Sequence, residues 1–431
     1  MLNMILKSLW ARRGRNAWLL AELILVIVLT WYIADPVFVL SYNRSLPLGY
    51  NTEGLLITPI CNLPSNASDY NVEGADSLHL MENLERLLRK LRDYPGVKSA
   101  APLITFAYPG SGGGSSNDFR FDTLSFPVSI YYFIPHSGCF ETLGIEPLEG
   151  KTPGELDNMN FQKDEIIISG DLAHKMAVGG RLAGKRLYYC TNNEKDTTYL
   201  QIKAVTSKVR SNTFEQGKYS CFEPQLNINI GKVLRNGYLL IRLQPDVSEQ
   251  RFLHGFRKWA HRNLRAGNLY VRDVNTYRKT LQEVEYRSGV TNKYRMNIVL
   301  AIFFLVNLAL GVTGTFWLQT RSRREEVGIM LSYGASPGVI CRQLLGEAAL
   351  LASFAWLIGC LIYLQYGIAI GNWFSRDSYK DSLYWINNFW LHYAAVSFLV
   401  YIIVLFVVLL GVYIPARRIS RIQPTEALRD E

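Results

Sequence analysis

Four long apolar windows constrain the fold of this chain more than any other feature of its sequence. They cover residues 17–34, 296–318, 348–370 and 392–414. An α-helix of about 20 mostly apolar residues is long enough to cross the hydrocarbon core of a bilayer. The sequence therefore predicts an α-helical membrane protein with four transmembrane helices. It also predicts a large domain, residues 35–295, between the first and the second of them.

Basic residues predict the orientation of these helices, because short loops rich in Lys and Arg stay in the cytoplasm. Both termini and the 319–347 loop are therefore predicted to be cytoplasmic, and residues 35–295 and the short 371–391 loop to be external. The cytoplasmic segments supply +6 of the net charge of +10, so the charge is a topology signal and nucleic-acid binding is not expected. The basic residues that carry this argument are Lys7, Arg12, Arg13, Arg15, Arg321, Arg323, Arg324, Arg342, Arg417, Arg418, Arg421 and Arg429.

The N-terminal region is predicted to remain attached to the membrane. Residues 1–16 alternate apolar and basic positions, which predicts an amphipathic helix on the inner membrane surface. The window at 17–34 is interpreted as an uncleaved anchor, since it is longer than a usual signal-peptide core and no cleavage site follows it. Pro36 is predicted to mark the end of this helix. Glu22 lies inside it, and we expect its carboxylate to hydrogen-bond to a neighbouring helix.

The external domain is predicted to have an α+β fold. A strand, a helix and a strand are predicted at 53–60, 76–94 and 97–106, and the same order recurs at 237–243, 248–264 and 268–274. This repetition indicates one core, residues 50–108 and 233–275, interrupted by a β-rich insert at 109–232. A polar helix at 275–295 is predicted to continue into the second span as a stiff stalk.

No motif of an enzyme active site or a metal centre is present. The chain contains neither GxSxG nor HExxH, and its six histidines show no metal-binding spacing. Residues 179–186, GGRLAGKR, match GxxxxGK, but Arg186 stands where Mg²⁺ requires Ser or Thr, and a predicted strand rather than a helix follows. Residues 110–116, GSGGGSS, are predicted to be a flexible loop. We therefore expect a non-catalytic chain with no cofactor of its own.

Four cysteines fall in the predicted external domain, where disulfides can form: Cys61, Cys139, Cys190 and Cys221. Four cysteines allow three pairings. The sequence leaves open which pairing occurs, and whether one bridge forms or all of them remain thiols.

The 319–347 loop has the pattern of a helix, a sharp break and a second helix. Gly334 suits the left-handed residue that ends a helix, Ser336 suits an N-cap, and Pro337 suits the first position of the next helix. A short charged helix between two membrane spans cannot bury a core of its own. We interpret it as a surface made for a partner.

Three stretches of the chain resemble a known family. Residues 324–336, REEVGIMLSYGAS, 342–351, RQLLGEAALL, and 415–431, PARRISRIQPTEALRDE, resemble motifs of the permease subunits of type VII ABC systems, the MacB and FtsX-like permeases. Residues 132–150 and 165–186 resemble that family's periplasmic core and insert more weakly. The order of one span, a large external domain and three further spans is similar as well.

The resemblance implies a role for individual residues. The helix after the second span would be a coupling helix that docks on an ABC ATPase subunit, which binds the ATP and Mg²⁺. The implied docking residues are Arg321, Arg323, Arg324, Glu325, Glu326, Val327, Gly328, Met330 and Leu331, with an elbow at Gly334, Ala335, Ser336 and Pro337. Polar membrane positions are Glu22 and Glu347, and the tail motif comprises Pro415, Pro424, Glu426, Leu428 and Arg429.

The resemblance also implies a function, a location and partners. We expect a permease of the bacterial inner membrane with a periplasmic domain, which couples ATP hydrolysis to export or efflux by mechanotransmission. Because 16 residues precede the first span, the ATPase is expected on a separate chain. A second permease copy or a paralogue would complete a dimer, and a periplasmic adaptor and an outer-membrane channel are further candidate partners.

Three alternatives to export stay open. They are an FtsX-like permease that regulates a cell-wall hydrolase, a lipoprotein-release permease, and a receptor that works without an ATPase. The β-rich insert favours the export type, since division-type external domains are smaller. The sequence does not identify the substrate or decide between a homodimer and a heterodimer.

Overall fold

The computed structural model describes residues 13–103, 107–150, 152–176, 182–190, 198–215, 219–227, 237–321, 323–370 and 389–423. The chain forms two compact units. One combines Met1–Tyr42 with Thr291–Glu431, and the other is Asn43–Val290. Four helices are long and apolar enough to cross a membrane, and an α+β domain lies between the first and the second of them along the chain. The predicted fold class is therefore confirmed.

The first helix, α1 (Arg13–Ser45), is longer than the sequence indicated. Pro36 lies inside α1, so the prediction that this residue marks the end of the helix is wrong. Proline removes one intrahelical hydrogen bond, but its fixed φ is compatible with a helix, and the bonds on either side of it persist. The predicted amphipathic helix at 1–16 lies mostly outside the described residues.

The α+β domain contains a six-stranded sheet built from both ends of its sequence. Its strands are β1 (Leu55–Asn62), β2 (Val97–Leu103), β9 (Tyr238–Leu243), β10 (Arg265–Ala266), β11 (Leu269–Val271) and β12 (Asn275–Thr276), numbered in chain order. The strand order is β10-β11-β1-β9-β2, and β12 also pairs with β1. Strand β9 lies antiparallel between β1 and β2. The two strands of the first predicted strand–helix–strand motif are therefore separated by a strand of the second motif.

Two amphipathic helices cover one face of this sheet, α2 (Ser77–Arg92) and α6 (Glu249–Asn263). Asp76 caps α2 by accepting a 2.9 Å hydrogen bond from the backbone N–H of His79. The buried side chains of the two helices repeat at helical spacing and share one apolar core with β1 and β9. They are Leu80, Leu84, Leu87, Leu88, Leu91, Leu253, Phe256 and Ala260.

A closed six-stranded barrel occupies the middle of the domain. Its strands are β3 (Ser115–Phe121), β4 (Leu124–Phe133), β5 (Glu165–Ile168), β6 (Arg186–Tyr189), β7 (Tyr199–Val205) and β8 (Ser220–Pro224), in the order β3-β4-β8-β5-β7-β6. Short helices α3 (Cys139–Leu143), α4 (Pro153–Asp157) and α5 (Gly170–Met176) connect them. Closure pairs every strand on both sides, which leaves no exposed sheet edge. Part of the GxxxxGK segment, at 179–181, lies outside the described residues.

The predicted stalk is two helices instead of one. Helix α7 (Tyr277–Arg287) ends before α8 (Val290–Arg321), and Ser288 and Gly289 separate them. Gly289 has a φ of +74°, the left-handed conformation that commonly ends a helix. The prediction of one continuous stalk helix over 275–295 is therefore wrong. Because α7 ends and α8 begins at this glycine, the chain has a joint here instead of a rigid rod.

Three further helices complete the apolar unit: α9 (Arg324–Ser332), α10 (Pro337–Ile370) and α11 (Phe389–Ile419). Glycines allow close packing between them and α1. Gly359 of α10 packs against Ile27 of α1, and Thr313 of α8 donates a 3.0 Å hydrogen bond to the carbonyl of Gly411 in α11. Small residues at such contacts let membrane helices approach each other closely. Most of the predicted external loop at 371–391 lies outside the described residues.

Candidate partner-docking helix

Helix α9 is a short charged helix held between two long ones. Helix α8 ends at Arg321, and α9 begins at Arg324 after Arg323 in the N-cap position. Glu325 and Glu326 lie in its first turn, where negative charge is favourable to the helix dipole. Arg321 therefore belongs to the end of α8, one helix earlier than the docking helix that the sequence indicated.

The end of α9 is a Schellman turn. Gly334 has a φ of +90°, its N–H bonds to the carbonyl of Leu331 at 3.0 Å, and the N–H of Ala335 bonds to the carbonyl of Met330 at 3.0 Å. Pro337 is the first residue of α10, and the N–H of Val339 bonds to the carbonyl of Ser336 at 3.0 Å. The chain thus reverses from α9 into α10 through four residues.

The inner side of α9 belongs to the apolar core of its own unit. Val327 and Gly328 are buried, and Met330, Leu331 and Ala335 pack against the same core. These side chains hold α9 in place. Val327 and Gly328 are consequently not accessible for docking, which corrects their assignment to the docking surface.

The outer side of α9 carries a stripe of exposed residues. Glu325 is exposed, Ile329 is 48% exposed and Tyr333 is 89% exposed, and Arg324 and Glu326 are half-buried beside them. Residues four apart lie on one side of a helix. The sequence-based docking set omitted Ile329 and Tyr333, although their spacing from Glu325 was visible. Two exposed apolar residues on a charged helix are typical of a protein contact.

Arg323 turns inward instead of toward solvent. Its guanidinium Nη1 donates a 2.6 Å hydrogen bond to Oε2 of Glu347 in α10, and the two residues are 8% and 3% exposed. The assignment of Arg323 to the docking surface is therefore wrong, because its side chain is engaged inside the unit. The pair joins the beginning of α9 to Glu347 of α10. Leu344 and Ala348, which are close to Glu347 in α10, are also buried.

Two polar residues of α1 lie against other helices of the apolar unit. The half-buried carboxylate of Glu22 lies against Gly311 of α8, where any Cβ would collide with it. Near the other end of α1, Asp35 Oδ1 lies 2.6 Å from Nε2 of His392 in α11. The pair of Asp35 and His392 was not predicted from the sequence, since the two residues are far apart in the chain.

The tail motif is described only in part. Pro415 lies buried inside α11, and the guanidinium of Arg418, one turn later, lies over the ring of Trp317 in α8 at 4.8 Å. Pro424, Glu426, Leu428 and Arg429 lie outside the described residues.

Within the part of the chain that the structure describes, no group of three or more His, Cys, Asp or Glu side chains could hold a metal ion. All six cysteines are free thiols, and Cys139 and Cys221 are buried whereas Cys190 is exposed. The structure thus pairs none of the four cysteines of the α+β domain with another.

One family model matches part of the apolar unit. Residues 298–424 match the family described as FtsX-like permease C-terminal. This match covers most of α8 and all of α9, α10 and α11. It therefore includes the candidate docking helix and both helices that flank it.

Curated relatives are transporter proteins. The chain is 25% identical over 167 residues to the macrolide export ATP-binding/permease protein MacB of Bordetella avium, which covers 38% of this chain and 23% of that protein. It is 26% identical over 230 residues to MacB 2 of Yersinia pestis, covering 50% and 31%. An uncharacterized ABC transporter permease of Methanocaldococcus jannaschii is 23% identical over 214 residues, covering 48% and 50%. The matched region is thus half or less of each relative's length.

Two of the solved structures similar to this chain are a periplasmic region and an extracellular domain. The periplasmic region of MacB from Actinobacillus actinomycetemcomitans has a TM-score of 0.30 and 12% identity, and covers 55% of this chain and 94% of that one. The extracellular domain of the noncanonic ABC-type transporter YknZ from Gram-positive bacteria has a TM-score of 0.28 and 14% identity, covering 50% and 100%.

Proposed function

We propose that this chain is a permease subunit that works with a separate ABC ATPase. The FtsX-like match and the similarity to the MacB proteins support this proposal. The ATPase would bind and hydrolyse ATP with Mg²⁺, and this chain would contribute no catalytic group. The observation that carries the proposal is α9, a charged helix that is anchored on one side and exposes Glu325, Ile329 and Tyr333 on the other.

The two sides of α9 would have different roles: the outer side would contact the ATPase, and the inner side anchors α9 to the long helices. On the outer side, Ile329 and Tyr333 would enter a groove of the ATPase, with Arg324, Glu325 and Glu326 forming polar contacts around them. On the inner side, the Arg323–Glu347 pair and Val327 hold α9 to the long helices. Displacement of α9 by the ATPase would therefore move α10 with it, since a buried ion pair does not separate without a large cost in free energy.

Movement of the long helices would drive a conformational change in the α+β domain. In this proposal the domain lies in the periplasm of a bacterial inner-membrane protein, both termini are cytoplasmic, and the change drives export or efflux of a periplasmic substrate. A second permease, either a copy or a paralogue, would provide the second docking helix for an ATPase dimer. A periplasmic adaptor and an outer-membrane channel are the partners expected for the exporter.

The test is co-purification of the full-length chain with its ATPase from detergent extracts, with the bound ATPase identified by mass spectrometry. Ile329→Asp and Tyr333→Asp place charge in the proposed contact without touching the core, and we expect either variant to lose the ATPase. Val339→Asp, an exposed apolar position in the first turn of α10, is the matched control and should retain it. Retention of the ATPase by the double variant Ile329→Asp/Tyr333→Asp would contradict docking through α9.

The regulatory and lipoprotein-release alternatives need a different experiment. The β-barrel inserted into the sheet domain adds a second folded part to the proposed periplasmic region, and it favours export over regulation. Affinity capture with the full-length protein after crosslinking in cells would distinguish these functions. A cell-wall hydrolase as the main partner would indicate regulation, whereas an outer-membrane channel or adaptor would support export.

A further inference from the structure

Two loops of the α+β domain contact helix α7, which ends just before Gly289. The first loop, residues 107–113, leads into β3, and the second, residues 207–215, connects β7 toward β8. Their backbones are joined, because the N–H of Gly110 bonds to the carbonyl of Ser211 at 2.9 Å. We call this pair of loops the collar. Both of its loops are continuous with strands of the barrel.

The first loop of the collar packs its backbone directly on α7. The hydroxyl of Tyr277 donates a hydrogen bond to the carbonyl of Pro109. Gly110 and Gly112 have φ values of +87° and +69°, and a Cβ at these positions would collide with Leu281 and Val284 of α7. Glycine is required here for both reasons. The predicted loop is therefore confirmed at residues 110–114, but residues 115–116 belong to β3, and Gly110 and Gly112 lie in close contact with α7.

The second loop holds the segment that leaves α1. Arg210 is 4% exposed, and its guanidinium Nη1 donates hydrogen bonds to the carbonyls of Asn43 and Leu46 at 2.9 and 3.0 Å. The backbone N–H of Arg210 also bonds to the carbonyl of Leu48 at 2.9 Å. In return, Nδ2 of Asn43 donates to the carbonyl of Phe214 at 2.9 Å. A buried guanidinium with several carbonyl acceptors is held in one position.

The second loop also reaches α7, through a buried carboxylate. Glu285 accepts a 3.3 Å hydrogen bond from the hydroxyl of Thr213 and forms an ion pair with Arg44, just before the end of α1. Glu285 is itself buried. The exit of α1, helix α7 and the second loop therefore meet at one polar cluster.

We propose that the collar is the joint through which displacement of α7 and of the α1 exit reaches the barrel, with Arg210 and Glu285 as its positioning residues. The source of the displacement rests on the proposed function. The contacts that form the collar, by contrast, all lie within residues 43–290 and do not depend on it. The barrel would receive the movement directly, since each loop of the collar continues into a barrel strand. The sheet would receive it separately through β12, which precedes α7 and pairs with β1.

Hydrogen–deuterium exchange on the full-length protein in detergent, without ATPase, tests the joint independently of the proposed function. We expect Arg210→Met to raise exchange by about tenfold or more in residues 43–50, 207–215 and 277–287 together, because charged buried hydrogen bonds are lost. Arg210→Lys, which keeps the charge but cannot make all these bonds, should give a smaller rise in the same segments. The matched control is Arg92→Met, which removes an arginine bonded to the carbonyl of Ala100 at 2.8 Å, remote from the collar.

Charge exchange tests the role of Glu285. Glu285→Arg should raise exchange in the same three segments by repulsion from Arg44, and Arg44→Glu/Glu285→Arg should restore protection. A rise confined to residues 207–215, or no restoration in the double variant, would overturn the joint. In cells, Arg210→Met should retain the ATPase in co-purification while losing export. If wild-type protein binds no ATPase, the proposed function fails, and the exchange data still decide whether the collar exists.

Discussion

Nη1 of Arg323 and Oε2 of Glu347 lie 2.6 Å apart, and the two residues are almost fully enclosed at the junction of α9 and α10. This pair determines which residues of α9 remain available to a partner. With Arg323 directed inward, the outer side of α9 exposes Glu325, Ile329 and Ser332. Tyr333 is exposed at the C-cap, and Arg324 and Glu326 are half-buried beside them. A coupling helix that is fixed by an ion pair at its start and by a Schellman turn at its end moves as part of its unit.

Removal of one partner from the Arg323–Glu347 pair should destabilise the protein strongly. A buried charge left without its partner costs about 3–5 kcal/mol, whereas apolar replacement of both partners is often nearly neutral. We expect Arg323→Met and Glu347→Leu each to lower the thermal unfolding temperature in detergent, and the double variant to recover most of the loss. Arg342→Met, at an exposed position of α10, is the control and should stay within about 0.5 kcal/mol of wild type. Additive losses in the double variant would contradict a direct pair.

The turn after α9 should require glycine at one position and tolerate alanine nearby. Gly334→Ala places a Cβ on a residue with a φ of +90°, which costs about 1–2 kcal/mol. Gly338→Ala, in the first turn of α10, meets nothing within 4 Å and has no positive φ, so it should be neutral or slightly stabilising. Limited proteolysis near the α9–α10 turn and thermal unfolding measure both variants. Equal behaviour of the two alanine variants would show that the left-handed conformation is not essential.

The contact between Glu22 and Gly311 predicts a suppressor. Gly311→Ala should displace the carboxylate of Glu22, the far end of a flexible side chain, and cost about 0.5–1.5 kcal/mol, as for a side chain moved off its preferred rotamer. Gly314→Ala, on the same helix with nothing within 4 Å, should be harmless. Adding Glu22→Ala to Gly311→Ala should recover stability, since the clashing group is gone. Thermal unfolding of wild type, Gly311→Ala, Glu22→Ala and the double variant in detergent completes the cycle, and failure of Glu22→Ala to rescue would place the clash elsewhere.

Local features of this fold were readable from the sequence, whereas features that depend on distant residues were not. Residues Gly334 and Pro337 have conformational requirements of their own, so the turn between α9 and α10 follows from their order. Pro36 and Gly289 were not predicted correctly from such local signals. Pro36 was expected to end a helix but lies inside α1, and the helix break at Gly289 was not predicted. A long helix tolerates the loss of one hydrogen bond, and a helix joint needs only one left-handed residue.

Pairings across the chain required the structure. Arg323 and Glu347 are separated by a helix and a turn, and each alone looked like a different kind of site. The position of β9 between β1 and β2 also depends on the whole sheet, since the antiparallel pairing of β9 with both strands cannot be inferred from two similar local units. The collar was missed for the same reason, because Gly110, Arg210 and Glu285 come from three distant segments.

Two carboxylates of the barrel should respond to pH with opposite sign. Burial raises the pKa of Glu223 in β8. Burial also acts to raise the pKa of Glu165 in β5, but the Lys203 ammonium, at 2.8 Å, and the N–H of Gln162 outweigh it and lower this pKa overall. A raised carboxylate pKa means that the folded state binds more protons than the unfolded state, so ionised Glu223 lowers stability above its folded pKa. Ionised Glu165 contributes stability above its unfolded pKa, and this contribution is lost as the pH falls through its folded pKa.

Glu223→Gln should therefore stabilise the α+β domain at pH 7.5. We expect a gain of about 1 kcal/mol or less, because the side chain is partly exposed. This gain should vanish as the pH falls through the folded-state pKa of Glu223 toward its unfolded-state pKa. Glu165→Gln should destabilise the same barrel at pH 7.5, and its effect should fade at a pH below its lowered pKa. The measurement is thermal unfolding of the full-length protein from pH 7.5 to the acid limit of reversibility, following the transition of the α+β domain. Parallel pH dependence of the two variants would contradict the opposite environments of the two carboxylates. Opposite slopes would establish that Lys203 compensates for burial at Glu165, and that Glu223 lacks a comparable compensation.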